Sequence, residues 1–219
     1  MKRSKFAVAV ATVAMSSASM AADVLSEGFD NFAALAAAGW VQVNASPSAN
    51  QPWGQGNTGV FPAAAGPADS YAATSFLAGS PSISSWLMTP TLTLSGAGSL
   101  SFQVRTAGEG FLDTVETYLS SNGASTNTAD FTTLLGTFSA STDLGWLAQT
   151  YAVPLDGSGR IGFRYLVGDV ETQGNYLGID SVSVVPEPSP FALAGVALLA
   201  AAVHRCRAAG ARARARAGT

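Results

Sequence analysis

The stretch Ile161-Gly162-Phe163-Arg164-Tyr165-Leu166-Val167 carries the longest alternation of apolar and other side chains in this chain of 219 residues. Its apolar side chains recur at every second position, and Arg164 stands between them. Side chains that alternate with a period of two point to opposite faces of a β-strand. We therefore predict a strand with one buried face and with Arg164 on the other face.

The same period recurs on both sides of this stretch, between clusters of Gly, Pro, Asn and Asp. One short helical turn is predicted at residues 32–38, capped by Asn31 and ended by Gly39, and residues 44–67 are predicted to be a loop. Many short strands with almost no helix are typical of an all-β, two-sheet β-sandwich. The predicted strands are residues 24–30, 40–43, 71–76, 83–88, 91–94, 99–105, 115–119, 131–138, 149–153, 161–167 and 176–184.

The N-terminal end differs from this middle part. Three basic residues among the first five precede an apolar run at residues 6–15, and small side chains follow. That order is typical of a secretory signal peptide, cleaved here after Ala21 or Ala22. We predict a signal peptide at residues 1–22 and an exported domain at residues 23–185, which is large enough for one core.

The C-terminal end, residues 186–219, begins with Pro186-Glu187-Pro188, in which proline fixes φ and removes backbone donors, so an extended linker is predicted. An apolar run at residues 191–203 follows. As a helix this run would span roughly 20 Å, which is short against a hydrocarbon core of about 30 Å. We predict a hydrophobic helix at residues 189–204 and an arginine-rich tail at residues 205–219. The tail holds the stop-transfer arginines Arg205, Arg207, Arg212, Arg214 and Arg216.

The order of proline motif, apolar helix and basic end resembles the PEP-CTERM sorting signal of Gram-negative envelope proteins. The resemblance implies cleavage near Pro186-Glu187-Pro188 by an exosortase, after passage through the secretion translocon and signal peptidase. It also implies a transient stage in the inner membrane, followed by delivery to the outer surface or the extracellular matrix. The alternative is an ordinary C-terminal anchor helix that keeps the protein in the membrane.

Charge and residue usage limit what the exported domain can do. Three arginines and 13 acidic residues lie between Asp23 and Val185, a net charge of −10, which argues against nucleic acid or an anionic membrane as partner. The single histidine and the single cysteine, His204 and Cys206, both lie in the C-terminal end, residues 186–219. The domain therefore lacks a Ser-His-Asp or Cys-His nucleophile system, a His/Cys zinc site and an internal disulfide.

Several short motifs of the domain resemble the choice-of-anchor J group, a jelly-roll β-sandwich related to cleaved-adhesin and MAM-like modules. The resemblance covers nearly the whole exported domain and implies a jelly-roll fold and an extracellular setting, but no ligand. The motifs are Glu27-Gly28-Phe29-Asp30, Trp86-Leu87-Met88-Thr89-Pro90, the strand around Phe102, Gly162-Phe163-Arg164-Tyr165 and Leu177-Gly178-Ile179-Asp180-Ser181-Val182.

A structural calcium ion is the one cofactor that we predict. Asp180 has the same parity as Val182, so on a regular strand its carboxylate would point to the buried side and would need a partner. Related jelly rolls place calcium between the first and last strands, which implies Glu27, Asp30 and Asp180 as oxygen ligands. The alternative is a bulge at Gly178 that turns Asp180 to solvent, with no metal bound.

Exopolysaccharide is the predicted ligand of a second hypothesis, in which Trp53 and Tyr71 stack on sugar rings, while the other three tryptophans pack in the core. A third hypothesis, glycoside hydrolysis, would need a pair among Glu109, Asp113 and Glu116. Since Asp113 and Glu116 have opposite parity on a strand, we predict that the protein is not an enzyme.

The sequence thus predicts a non-enzymatic exported protein of the cell surface or exopolysaccharide matrix, processed by the PEP-CTERM and exosortase route. The alternative function is a carbohydrate-binding or adhesive module that its C-terminal anchor retains at the envelope.

Overall fold

A computed structural model describes residues 24–187, so Ala21, Ala22, Pro188, the predicted helix at 189–204 and the tail arginines lie outside the described residues. Within that range the chain forms 14 strands and three short 3₁₀ turns, Phe32–Ala34, Phe76–Ala78 and Thr128–Asp130. The strands are β1 (Leu25–Glu27), β2 (Val41–Asn44), β3 (Ser48–Ala49), β4 (Gly54–Gln55), β5 (Ala72–Ser75), β6 (Gly79–Ser80), β7 (Ile83–Met88), β8 (Leu92–Ser95), β9 (Gly98–Thr106), β10 (Asp113–Ser120), β11 (Thr133–Ala140), β12 (Leu147–Val153), β13 (Asp156–Val167) and β14 (Tyr176–Pro186).

The strands pair into two six-stranded sheets and one small two-stranded sheet. The first sheet has the order β12-β9-β14-β5-β4, with β1 beside β14, and the second has the order β11-β10-β13-β7-β2, with β8 beside β13. The small sheet joins β3 to β6, and every pairing is antiparallel. The predicted all-β, two-sheet sandwich is therefore confirmed.

Strand β13 lies at the centre of the second sheet, and its predicted alternation is confirmed. Its four alternating apolar side chains are at most 1% exposed, whereas Arg164 lies on the outer face and is half-buried. Across the interior, the ring of Phe163 meets the ring of Phe102 on β9 with their centroids 5.1 Å apart. Each such fully buried side chain contributes about 1.5–3 kcal/mol, so this layer holds the two sheets together.

Two predicted elements differ from the structure near the N-terminus. The turn predicted at residues 32–38 is a single 3₁₀ turn, Phe32–Ala34, and Asn31 makes no side-chain cap. The loop predicted at residues 44–67 contains the two-residue strands β3 and β4. Two residues are too few to show a period, so these strands carry no pattern that a sequence could reveal.

The sandwich has two ends, which differ in the loops they carry. At one end, named the distal pole, β9, β11 and β13 finish, and residues 107–112, 141–146 and 168–175 connect them to β10, β12 and β14. The strand register confirms that neighbouring strands begin and end together at this pole, because Thr106 pairs with Leu177 and Ala140 pairs with Asp113.

At the opposite end, the proximal pole, β14 finishes at Pro186, the first residue of the predicted sorting segment, which pairs with Gly98. The backbone N–H of Glu187 donates to the carbonyl of Ala97 at 2.9 Å, so the described chain leaves the sheet there. None of the helical segments between residues 24 and 187 has the length and apolar character needed to cross a membrane.

Candidate ligand-binding groove

The outer face of the second sheet carries an ion pair beside a small aromatic cluster. Glu116 on β10 lies opposite Arg164 on β13, and Arg164 lies opposite Trp86 on β7. Because these three residues occupy one register row on neighbouring strands, a carboxylate, a guanidinium and an indole lie side by side. We name the depression that they border the outer groove.

Three aromatic rings lie beneath the outer groove, and two of them, Trp86 and Phe131, are only 5% and 4% exposed. Trp86 lies between Tyr118 and Phe131, and both ring-centroid distances are 5.5 Å. Gly162 makes room for this arrangement, since a Cβ atom there would lie 3.0 Å from the Phe131 ring and 3.1 Å from the Trp86 ring. The rings are therefore packed into a fixed surface rather than left as single mobile side chains.

Polar groups form the wall of the groove above these rings. Arg164 donates from Nε to Ser84 Oγ at 2.9 Å and from Nη1 to Glu116 Oε2 at 3.2 Å. Its Cζ atom lies 5.5 Å from the centroid of the Trp86 ring, within cation–π range. The hydroxyl of Tyr118 also donates to Glu116 Oε2, at 3.2 Å. Burial, followed by the nearby Glu116 carboxylate, raises the pKa of Tyr118, so the phenol stays a donor at neutral pH.

The outer groove is a shallow depression of about 300 Å³ that is open to solvent. It combines apolar ring surfaces with one charged donor, one charged acceptor and several hydroxyl groups. The apolar side of a sugar ring and its hydroxyl groups need that combination of groups. The residues that line the groove are Ser84, Trp86, Tyr118, Thr128, Ala129, Phe131 and Arg164.

Trp53, one of the two residues predicted to stack on sugars, lies elsewhere and is only 2% exposed. It borders a second cavity of about 380 Å³ beside β2, together with Phe32, Leu35 and Trp40. Its indole Nε1 has no hydrogen-bond partner among residues 24–187. At 2% exposure Trp53 presents almost no ring face to a polysaccharide.

Tyr71, the other predicted stacking residue, is fully buried. Its hydroxyl accepts from the backbone N–H of Asn57 at 2.9 Å and lies 3.0 Å from the carbonyl of Phe61. Burial raises the pKa of Tyr71. The ring of Phe61 packs on it with centroids 5.2 Å apart. Tyr71 therefore holds the loop of residues 56–70 against the first sheet, and this loop covers the ring face that a sugar would need.

The predicted orientation of Asp180 is corrected by a bulge. The register of β14 shifts between Asp180 and Ser183, and Ser181 has φ of +52°, so Ile179 and Val182 both face the core while Asp180 faces outward. The bulge lies at Ser181 rather than at Gly178.

Asp180 is nevertheless fully buried, because the loop of residues 56–70 covers it. Its Oδ2 accepts from the amides of Ala64 and Ala65 at 2.8 and 3.1 Å, and Ser181 Oγ lies 3.2 Å from its Oδ1. Burial raises the pKa of this carboxyl, although these donors oppose the shift. Protein donors thus already surround the charge that was predicted to need a metal ion.

The three predicted calcium ligands do not form a shared cluster. Glu27 Oε1 accepts from the amide of Phe29 at 2.8 Å, and Asp30 Oδ1 accepts from Ser70 Oγ at 2.6 Å. In the part of the chain that the structure describes, no three Asp, Glu, His or Cys side chains are grouped as metal ligands. The donor set as folded does not fit a metal ion, and calcium stays a prediction from the resemblance.

The three carboxylates considered for catalysis lie in different places, and Asp113 and Glu116 lie on opposite faces of β10, as their opposite parity predicts. Asp113 is fully buried, Glu116 lies on the outer face, and Glu109 is exposed in a loop of the distal pole. Asp113 Oδ1 accepts from Tyr165 Oη at 2.6 Å and from the amide of Asn175 at 2.8 Å. Asp113 therefore braces the fold and cannot act together with Glu116 on one bond.

The prediction that Trp86 is buried by packing is confirmed, since it is only 5% exposed, but its partners Tyr118 and Phe131 lie on the outer face rather than between the two sheets. Trp86 is next to Leu87 in sequence, and that neighbour suggested burial in the core, yet adjacent strand residues point to opposite faces. The signal for the outer groove was present in the parities, since Ser84 and Trp86 share one face of β7 and Arg164 was expected on the outer face of β13.

The fold belongs to the class of antiparallel two-sheet sandwiches found in cleaved adhesin domains. The K3 cleaved adhesin domain of Lys-gingipain from Porphyromonas gingivalis W83 is similar, with a TM-score of 0.59 and 21% identity, covering 76% of this chain and 99% of that domain. The K1 domain of the same protein has a TM-score of 0.58 and 22% identity, covering 75% and 98%. No family model matches the chain, and no curated protein matches it. The likeness establishes the fold that the choice-of-anchor J resemblance implied.

Proposed function

We propose that this protein is an exported, non-enzymatic adhesive module that binds a polysaccharide of the cell surface or matrix in its outer groove. The observation that carries the proposal is the row of Glu116, Arg164 and Trp86 on an outward sheet face, completed by Tyr118 and Phe131. Arg164 and Glu116 remain 28% and 18% exposed, so a ligand can reach this ion pair. The cleaved adhesin domains of Lys-gingipain, which share the fold, add a reason to consider adhesion.

The chemistry of the groove favours a glycan without strong negative charge. Arg164 is already paired with Glu116, and the exported domain carries a net charge of −10, so a polyanion would be repelled. A neutral sugar could accept hydrogen bonds from Arg164 and donate to Glu116, while its apolar side lies against the Tyr118 edge. Each charge-assisted hydrogen bond of this kind contributes about 1.5–3 kcal/mol.

Binding to exopolysaccharide extracted from the producing cells tests this proposal. Arg164→Ala should weaken binding at least about tenfold, because it removes the groove's charged donor and leaves Glu116 unpaired. Arg105→Ala is a matched control, since Arg105 on the first sheet is also paired with a carboxylate, Asp143, and lies 4.6 Å from the ring centroid of Phe61. Equal binding by both variants and the native protein would contradict the proposal.

We further propose that the module reaches its place by the PEP-CTERM route, with signal peptidase acting after Ala21 or Ala22 and an exosortase acting near Pro186-Glu187-Pro188. In this sequence of events, the arginines of the tail halt translocation and hold the cleavage segment at the inner membrane. The processed domain then reaches the outer surface or the matrix. A retained, membrane-anchored adhesive module is the alternative.

Calcium remains a separate proposal that rests on the resemblance alone. If calcium binds near Glu27, Asp30 and Asp180, adding it after treatment with a chelator should raise the melting temperature. A melting temperature that is the same with calcium and with chelator would show that calcium does not stabilise the folded protein.

A further inference from the structure

Large apolar side chains are exposed mainly at the distal pole. Among residues 24–187, eight large apolar side chains are exposed, and five of them belong to the loops and the 3₁₀ turn at this end. Leu144 is the most exposed of all, at 62%. Exposed apolar side chains that gather in one region of a protein mark a candidate site of interaction. The distal-pole residues are Phe76, Leu77, Phe111, Leu112 and Leu144.

Backbone hydrogen bonds join the loops that carry these side chains. The carbonyl of Leu112 accepts from Gly174 at 3.0 Å, the amide of Phe76 donates to Asn175 at 3.0 Å, and Gly110 donates to Ser141 at 2.9 Å. The four chain segments are thus connected in one network. The apolar surface is therefore preformed, which lowers the entropy cost of binding.

Buried Asp113 fixes the same network from beneath. Its Oδ1 receives hydrogen bonds from Tyr165 on β13 and from the amide of Asn175, the residue whose carbonyl holds Phe76. One carboxylate thus ties the loop of residues 168–175 to the interior. This arrangement is not required by the outer groove, which lies on a sheet face.

The charges around the apolar side chains are all negative or already neutralised. Glu109, Asp169 and Glu171 are exposed, and none forms an ion pair within residues 24–187, where only Arg105–Asp143 and Arg164–Glu116 do so. The third arginine among residues 24–187, Arg160, donates to backbone carbonyls. A second copy of the domain would bring more negative charge, so self-association through this pole is disfavoured.

We propose that the distal pole is a docking surface for a polypeptide segment in which apolar side chains alternate with lysine or arginine. Apolar side chains of the partner would cover Leu77 and Leu144, and its basic side chains would reach Glu109, Asp169 and Glu171. This surface lies at the opposite end of the sandwich from Pro186, the last residue of β14. The proposal does not depend on glycan binding in the outer groove.

The test uses the full chain immobilised on a sensor and three short synthetic peptides, in which Leu alternates with Lys, Ser alternates with Lys, or Leu alternates with Glu. Only the Leu–Lys peptide should bind well, and raising the salt concentration should weaken it, because exposed charges are screened. Leu77→Ser combined with Leu144→Ser should weaken binding at least about tenfold. Leu134→Ser is the matched control, since Leu134 is 51% exposed but lies on β11, opposite Tyr118.

Each outcome bears on the proposal. Loss of binding in the distal-pole variant and normal binding by Leu134→Ser support it. Equal binding of the Leu–Glu and Leu–Lys peptides would overturn the charge argument, and equal loss in both leucine variants would overturn the location. Binding to vesicles of zwitterionic phospholipid, with none to the Leu–Lys peptide, would show a lipid surface and would likewise overturn the proposed partner.

Discussion

At the scale of single residues, Gly162 is a position where the outer groove depends on the absence of a side chain. Gly162→Ala would push a methyl group against the rings of Phe131 and Trp86, at 3.0 and 3.1 Å. Overpacking of this kind costs typically 1–3 kcal/mol, so we expect about that loss in the free energy of unfolding, measured by urea denaturation. We also expect weaker glycan binding.

The control for this change is Gly54→Ala on β4, where an added Cβ meets nothing within 4 Å. The free energy of unfolding of that variant should lie within about 0.5 kcal/mol of the native value. If Gly162→Ala is as stable as the native protein, the rings of Phe131 and Trp86 move easily to accommodate the methyl group. The rings would then not form a fixed surface.

Asp113 is a second residue with a measurable consequence, in this case on pH dependence. Burial raises the pKa of Asp113, and its Oδ2 has no hydrogen-bond partner among the described residues. The folded state therefore holds the proton more tightly than the unfolded chain, where a carboxyl has a pKa of about 3.9. The stability that this group contributes is present below that value and is lost as pH rises through the raised folded pKa.

Asp113→Asn removes this titration. Relative to the native protein, the variant should become more stable as pH rises from about 4 toward neutrality, measured by urea unfolding at several pH values. Glu109→Gln, which removes one exposed charge at the same pole, should show no comparable trend. A native protein that gains stability over Asp113→Asn with rising pH would reverse the sign and would mean that the ionised form is the favoured one.

At the scale of elements, the bulge in β14 decides where the last strand sends its carboxylate. The positive φ of Ser181 shifts the register, so Asp180 leaves the core face and receives the amides of Ala64 and Ala65. Asp180→Ala would leave those amides without their acceptor. We expect their hydrogen exchange to accelerate and the free energy of unfolding to fall by about 1–3 kcal/mol.

Asp156→Ala serves as the comparison, since Asp156 is exposed at the start of β13. Its exchange pattern at residues 64 and 65 should match that of the native protein. If Asp180→Ala leaves both amides protected, then the loop is held by its other contacts, such as the hydrogen bonds of Tyr71 and the ring contacts of Phe61.

The elements also show what a sequence can and cannot predict. Strands β9 and β13 and the inward row of β13 follow from period two, because each has enough residues to display it. The bulge at Ser181 breaks that period at one residue, and serine gives no sequence signal for a bulge. The parity of Asp180 therefore predicted the wrong face of the sheet for its side chain. The two-residue strands β3, β4 and β6 are defined by their partners, which no local pattern encodes. The residues of the outer groove lie on three strands that are far apart in sequence, so the groove could be recognised only once the pairing of those strands was known.

At the scale of the whole molecule, the domain of residues 23–185 separates its surfaces by chemistry. The outer groove presents aromatic rings with a paired charge, the distal pole presents apolar loops with acidic residues, and the chain leaves the sheet at the proximal pole. A net charge of −10 makes copies of the domain repel one another, so, on the proposed function, adhesion should depend on other molecules rather than on self-association.

The sorting proposal predicts the mass of the finished protein. Material isolated from the envelope or medium of its producer should begin after Ala21 or Ala22 and should lack Cys206 and the arginines beyond it. Intact mass spectrometry with terminal peptide mapping measures both ends. A mature form that still contains Cys206 would make the protein a retained single-span anchor and would contradict exosortase processing.

The central claim is that ligand binds in the outer groove, and the four tryptophans provide a direct test. Trp86 lies in that groove, Trp40 and Trp53 border the second cavity, and Trp146 packs on the first sheet against Phe61. In ¹⁵N-labelled protein each indole N–H gives its own signal, so titration with oligosaccharides from the host matrix locates the site. The account predicts that the Trp86 signal shifts and the other three stay in place. A shift of Trp53 or Trp146 with Trp86 unchanged would contradict it.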